Sequence, residues 1–314
     1  MAWTNKVPLA TADAVEWADW LELEALRVAD GSVSRQTMIQ AIRRTGSAEV
    51  LSSHNVDSDS SQAEALAEAA FVELERRAAS CPQVYPYRFK GGTIETSKPL
   101  SGGYLYLVLL LLSTKWPGAT IKGVGKTHTF FETLSLDAAA KYLSADKTFH
   151  FGHPRPNGPA NFADAVTKLC EEIREGGGIK DFNSPRLRDI KDAGLDVVVW
   201  KGFPDGKAGQ LILLGQCALG EGWRPKTRDF KFGEFRNEWL RDTFLAPPIQ
   251  AFFVPHRVPD KLWQSTGLRA EGIVFDRCRI VSVLGKSLDK DRLSTIKKCG
   301  TVLAKQMGLK TWPK

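Results

Sequence analysis

Apolar residues recur at helical spacing from Ala12 to Leu26, where Val15, Trp17, Trp20, Leu21 and Leu23 build one broad face and predict a helix. Ser34 is placed to cap a second helix running through Met38, Ile39 and Ile42. Residues 47–61, with Ser52-Ser53 and Asp57-Ser-Asp-Ser-Ser61, have no apolar period and predict a flexible loop. Ser61-Gln-Ala-Glu64 has capping-box spacing and opens an alanine-rich helix to about Ala79, which Cys81-Pro82 stops. Tyr85 to Thr96 is predicted extended. Tyr104 to Leu112 is apolar throughout; a bilayer span needs ~20 such residues, so this run predicts a buried core element.

From Gly125 the period becomes mixed. Thr127 to Ser144 predicts a helix with Phe131, Leu134, Ala138 and Tyr142 on one face, and Phe149 to Gly152 a short strand. Asn161 caps a helix carrying Phe162, Val166, Leu169 and Ile173, which Gly176-Gly-Gly178 ends. Leu195 to Trp200 and Gln210 to Cys217 are β-rich runs around Asp205-Gly206, the pattern of a hairpin. A helix is predicted from about Lys226 to Leu245, strands at Ile249 to Pro255 and Gly272 to Leu284, and a basic amphipathic helix from Leu288 to Met307. The expected organisation is a mainly helical domain at 1–116 and a mixed α/β domain at 117–314.

Charge sharpens that division. The net charge of +7 over 314 residues is distributed as −6 in residues 1–80 and +6 in 286–314, leaving +7 between them. An acidic head with a basic body and tail points to polyanion contact by the later two thirds. Lys290, Arg292, Lys297, Lys298 and Lys305 on the tail helix are the candidate phosphate contacts, with an ordinary solvated face as the alternative. Five scattered cysteines without a Cys-x-x-Cys pair fit neither a disulfide scaffold nor a zinc ribbon, and suit a reducing cytoplasm. Met1 to Lys6 has no apolar core of a signal segment.

Asp196 opens an otherwise apolar strand, and a carboxylate there needs a partner. Gln216 lies near the end of the next strand, and Glu132 lies on the helix preceding the unit. Carboxylates and an amide carbonyl are hard oxygen donors of the kind Mg²⁺ (or Mn²⁺) takes while keeping waters. Lys226 or Lys207 offers a cation to orient water or offset developing charge.

This arrangement resembles the PD-(D/E)XK nuclease superfamily, the restriction-endonuclease-like fold, over roughly residues 125–285. The resemblance implies an αβββαβ core with a mixed sheet. Asp196 stands at the motif aspartate, Gln216 at the second acid and Glu132 at the helix acid. Two departures are visible: the second acid is a glutamine, and Ala218 occupies the place of the motif lysine, leaving Lys226 to reach back. An additional helix, 161–175, interrupts the core. The phrase Gln216 to Lys226 also resembles a pattern in bacterial proteins, some from defence contexts. The resemblance implies a Mg²⁺-dependent DNA endonuclease serving defence against foreign DNA, with Asp196, Glu132 and Gln216 on the metal and Lys226 on the attacking water. The acidic N-terminal domain would then dock a protein partner or restrain the nuclease. The alternative is a non-catalytic nucleic-acid-binding or adaptor subunit on the same fold, which Gln216 and Ala218 favour.

Other motifs compete less well. Gly125-Lys126-Thr127 suggests a phosphate loop with Asp276 on a Walker-B-like strand, but the first glycine of that motif falls at Thr120. His150 and His153 have no third ligand at zinc spacing and read first as loop histidines. Arg155 beside them is a candidate phosphate contact, Lys207 another. Cys217 reads as a small core residue before a nucleophile. Asp276 and Arg277 read first as ion-pair formers. Trp17, Trp20 and Trp200 read as core, and Trp223 as core or as a cover over the site.

Overall fold

A computed structural model describes residues 6–9, 11–49, 56–99, 101–114 and 120–313. The chain divides into two compact units, Met1–Leu111 with Gly285–Lys314, and Leu112–Leu284.

In the first unit, α1 (Ala14–Arg27) begins at a capping box: Asp13 Oδ1 accepts from the backbone N–H of Val15 and of Glu16, and Glu16 accepts from the N–H of Asp13. Strand β1 (Ser32–Ser34) leads into α2 (Arg35–Glu49), where Ser34 Oγ accepts from Thr37 N at 3.1 Å. Helix α3 (Val56–Ser80) starts earlier than the sequence predicts, so the loop expected at 47–61 shrinks; residues 50–55 lie outside the described residues. Strands β2 (Tyr87–Lys90) and β3 (Thr93–Thr96) form a hairpin around Gly91 and Gly92, both at positive φ, and β1 pairs antiparallel with β3. The apolar run becomes α4 (Ser101–Leu112), buried from Tyr104 to Leu112 as an all-round hydrophobic helix must be.

Arg77 of α3 is wholly buried in this unit. It donates to Asp19 at 2.7 Å, Glu22 at 2.9 Å and Glu73 at 3.0 Å, while the hydroxyls of Tyr85 and Tyr106 donate to the other oxygen of Glu22. Part of the acidic excess of the N-terminal region is thus consumed in holding one interior cation.

The second unit starts with a small hairpin, β4 (Thr120–Ile121) and β5 (Gly125–Lys126), then α5 (Thr127–Leu143), β6 (Lys147–His150), α6 (Phe162–Ile173), β7 (Val197–Lys201) and β8 (Leu211–Cys217). It continues through α7 (Trp223–Lys226), α8 (Phe232–Trp239), β9 (Ile249–Phe253), α9 (Asp260–Ala270), β10 (Gly272–Phe275) and α10 (Arg277–Leu284). One mixed sheet runs β10-β9-β8-β7-β6. Strands β6, β7 and β8 are antiparallel neighbours, β9 is parallel to β8, and β10 is parallel to β9. One face carries Phe149, Val198, Trp200, Ile212 and Leu214 into a core with α6 and α8. The other receives α5, whose Tyr142 ring meets Phe275, itself stacked on Phe253.

Three expectations differ. The helix predicted from Lys226 to Leu245 shrinks to α8 (Phe232–Trp239), because Phe230 before it turns inward and its N–H is taken by Gln216. The strand predicted from Gly272 to Leu284 stops at Phe275, because Asp276 accepts from Arg279 N at 3.0 Å and caps α10. Tyr142 is 52% exposed and lies at the margin of the helix face assigned to it. Helix α9 carried no recognised signal.

The last helix, α11 (Lys290–Gln306), belongs to the first unit, contrary to the expected division at 116. Gly300 abuts Val108 and the ring of Trp312, and the N–H groups of Lys310 and Thr311 donate to Leu26 O. No helix among the described residues is long and apolar enough to cross a membrane.

Candidate functional site

A break in strand phase creates the site. Leu195, Val198 and Trp200 all pack into the α6–α8 core, so the alternation skips a place between 195 and 198. Asp196 and Val197 consequently face α5 together. The turn before them is held by Asp192, whose Oδ1 accepts from Gly194 N at 3.0 Å, with Ala193 at φ 55° and Gly194 at φ 79°. Gly194 is required there: a Cβ would sit 2.6 Å from the carbonyl oxygen of Asp229. The carbonyl of Asp196 accepts from the N–H groups of Phe151 and Gly152, both at 2.8 Å, which pins the end of β6 to the start of β7.

Two carboxylates meet at this point. Glu132 projects from α5, buried, and Asp196 projects from the residue just before β7, half-buried. A Cβ added at Gly152 would lie 2.8 Å from Glu132 Oε2 and 3.0 Å from Asp196 Oδ1, so one small volume touches both. Glu132 Oε2 shares a 2.6 Å hydrogen bond with His150 Nε2, and Asp196 Oδ2 accepts from Cys217 N at 2.6 Å. Burial, then the charge of Asp192, raises the Glu132 carboxyl to about 8. Burial and the charge of Glu132 push Asp196 up as well, against the Cys217 N–H and Lys226, which pull it down. Burial, then Arg155, lowers His150 to about 4. The Glu132–His150 hydrogen bond thus joins two groups whose charged forms burial disfavours.

The donor set suits a hard cation. Mg²⁺ needs one or two carboxylates and keeps its waters, and a dication would relieve the repulsion that raises both acids. Among the described residues no group of three or more His, Cys, Asp or Glu side chains has metal-holding geometry.

Gln216 does not join them. It is buried, pairs in register with Phe252 on the face opposite α5, and its Oε1 accepts from Phe230 N at 3.3 Å. Lys226 is exposed at the end of α7 and close enough to draw the Asp196 carboxyl down. Arg155, the candidate phosphate contact, is buried near His150 rather than displayed on the surface. It is 7% exposed, lies 4.8 Å from the Phe151 ring centroid, and donates to the carbonyls of Pro159, Ala160 and Lys191. Lys207 is exposed in the turn at the far end of the hairpin, about five strand residues or roughly 17 Å from Asp196. Lys290, Arg292, Lys297 and Lys298 stand on α11 in the other unit; Lys297 Nζ sits 4.3 Å from the Tyr104 ring centroid. Asp276 pairs with Arg257 at 2.5 Å and Arg277 donates internally to Pro255 O and Ser113 Oγ, matching the ion-pair reading for the former.

Sequence reasoning overlooked His150 as the partner of Glu132, and Asp192 as a third nearby acid. The alternation Phe149-His150-Phe151 carried the signal for the first: both phenylalanines enter the core, which turns the histidine toward α5. Cys217 is packed near Asp196, Glu132 and Ser135, with its thiol pushed up by burial and by both carboxylates. The chain matches no family model, no curated protein and no solved structure.

Proposed function

We propose that the second unit is a PD-(D/E)XK-type, Mg²⁺- or Mn²⁺-dependent endonuclease acting on DNA in bacterial defence. The convergence of Glu132 and Asp196 at Gly152 carries this reading. The order α5-β6-β7-β8-α8-β9, with three antiparallel strands and a fourth parallel to the third, supports it as an αβββαβ arrangement. Glu132 and Asp196 hold the cation, which when bound supplies a water of lowered pKa and charge to a phosphate in flight. Lys226 brings positive charge to the same site and offsets the negative charge that develops on the phosphodiester. Asp196 is fixed for its role by the Cys217 N–H and by the β6–β7 pairing around its carbonyl. The net positive charge of the chain favours contact with the nucleic-acid backbone over base reading. A cytoplasmic setting accords with five cysteines none of which forms a disulfide. The N-terminal acidic surface is the place for a protein partner.

A second reading, a nucleic-acid-binding adaptor without catalysis, is favoured by one pair of observations: the Gln216 carbonyl is committed to Phe230, and Ala218 is buried where the motif lysine would stand. Cleavage of supercoiled and single-stranded DNA with Mg²⁺ or Mn²⁺, wild type beside Asp196→Ala, separates the two. Cleavage lost with Asp196 supports the nuclease. Salt-dependent DNA binding with no cleavage under either ion supports the adaptor.

A further inference from the structure

We infer that His150 is the positioning residue of this centre: it holds the Glu132 carboxylate in the one orientation that meets Asp196. The inference rests on the metal-dependent reading above and adds a residue that the motif comparison does not supply. Glu132 has three side-chain torsions, and freezing such a chain costs about 1.5–2 kcal/mol of rotamer freedom. Among the described residues its hydrogen-bond partner is His150, at 2.6 Å through the same Oε2 that faces Gly152. The histidine is itself held in the sheet by its backbone. It is the last residue of β6, registered opposite Val197, and Phe149 and Phe151 on either side are locked into the core. The end of β6 is further fastened by the two N–H groups on the Asp196 carbonyl. One short strand therefore fixes both acids, Asp196 through its backbone and Glu132 through an imidazole. Outer partners of this kind orient metal-binding carboxylates, and losing one lowers metal affinity by about 10–100-fold.

The test is calorimetric titration of Mn²⁺ into the full chain, for wild type, Glu132→Gln, His150→Phe and His150→Gln. The glutamine amide nitrogen falls near the place of Nε2 and restores the hydrogen bond; phenylalanine keeps the ring and removes it. The expected result is Mn²⁺ affinity lowered at least about tenfold in His150→Phe and returned to within about threefold of wild type in His150→Gln. In the cleavage assay the same Phe variant should lower kcat while KM for DNA holds, since no DNA contact is touched. If His150→Phe unfolds the chain, His150→Asn, whose amide stops short of Glu132, takes its place under the same requirement. Wild-type affinity in the Phe or Asn variant, with affinity lost in Glu132→Gln, overturns the role of His150 and leaves the metal site standing. No Mn²⁺ binding by wild type, or binding indifferent to Glu132→Gln, overturns the metal-dependent reading and this inference with it.

Discussion

Asp196, just ahead of β7, and Gln216 of β8 are neighbours, and their side chains leave the sheet on opposite faces. Asp196 accepts from Cys217 N and meets Glu132 of α5, whereas Gln216 accepts from Phe230 N on the α8 side. The acid and the amide that the hairpin spacing brings together are thus separated by the thickness of the sheet.

Installing the missing acid should not repair the motif. Gln216→Glu places a carboxylate in a buried position next to Phe252 and removes the amide N–H₂. A loss of about 1–3 kcal/mol in denaturant unfolding is expected, with Mn²⁺ affinity by calorimetry unaltered. A tightened metal site in this variant would contradict the face assignment of Gln216.

The carboxyl pair should make the metal-free protein sensitive to alkali. With a folded pKa of about 8 against 4.5 unfolded, Glu132 binds more protons folded than unfolded between those values, so stability falls as pH rises through that window. His150, at about 4 against 6.5, acts in the opposite sense, costing stability as pH falls from 6.5 to 4. The two oppose each other where the windows overlap; above pH 6.5 Glu132 acts without that opposition, and Asp196, also raised, adds to it. Thermal unfolding in chelator should therefore show stability declining from pH 6.5 to 8, with Glu132 alone contributing up to about 1.4 kcal/mol per pH unit. Glu132→Gln should flatten that decline.

A methyl group at Gly152 would displace the ends of two acidic side chains. In Gly152→Ala the Cβ would press on Glu132 Oε2 and Asp196 Oδ1, so the carboxylates must part. The expected cost is about 1–3 kcal/mol of stability together with loss of Mn²⁺ binding. Both are read on one purified sample, by denaturation and calorimetry.

The two lysines proposed to assist catalysis should separate cleanly. Lys226→Ala removes the cation that acts on Asp196 and should reduce cleavage about 10²-fold or more. Lys207→Ala, at the far turn, should leave the rate close to wild type. Single-turnover rates on the same substrate decide this; equal losses would place the hairpin turn in the site.

Arg77 provides a test confined to the first unit. Replacing it with Leu strands Glu22 among Tyr85 and Tyr106 without its cation, at a cost of about 3–5 kcal/mol. Urea unfolding followed by the near-ultraviolet signal of Trp17 and Trp20, which pack edge to face, reports on that unit.

Periodic and cap-marked elements are legible in the chain: α1 by its apolar spacing, α6 at Asn161, and the β7–β8 hairpin at its turn. These signals are local, set within a few residues. The pairing of Glu132 with Asp196 is legible as a possibility because helix and hairpin follow in a recognisable order. The separation of Asp196 from Gln216 is not, since the skipped place between Leu195 and Val198 turns Asp196 to the other face, and a strand reader counts alternation without skips. Nor is the role of Arg155, whose guanidinium is taken by carbonyls up to Lys191, 36 positions along the chain. The placement of α11 is hidden for the same reason: its basic face reads as a nucleic-acid contact, while its packing face answers to Val108, far back in the chain.

The return of α11 also orders the birth of the molecule. The segment Leu112–Leu284 is spliced into the first unit, so a ribosome releases α4 long before the helix that packs on Val108. At about 5–20 residues per second, synthesis of the insert takes roughly ten to thirty-five seconds. Throughout that interval the greasiest helix of the chain waits for its cover, while the inserted sheet can close from β6 to β10 in one uninterrupted pass. The unit that begins first is the one completed last.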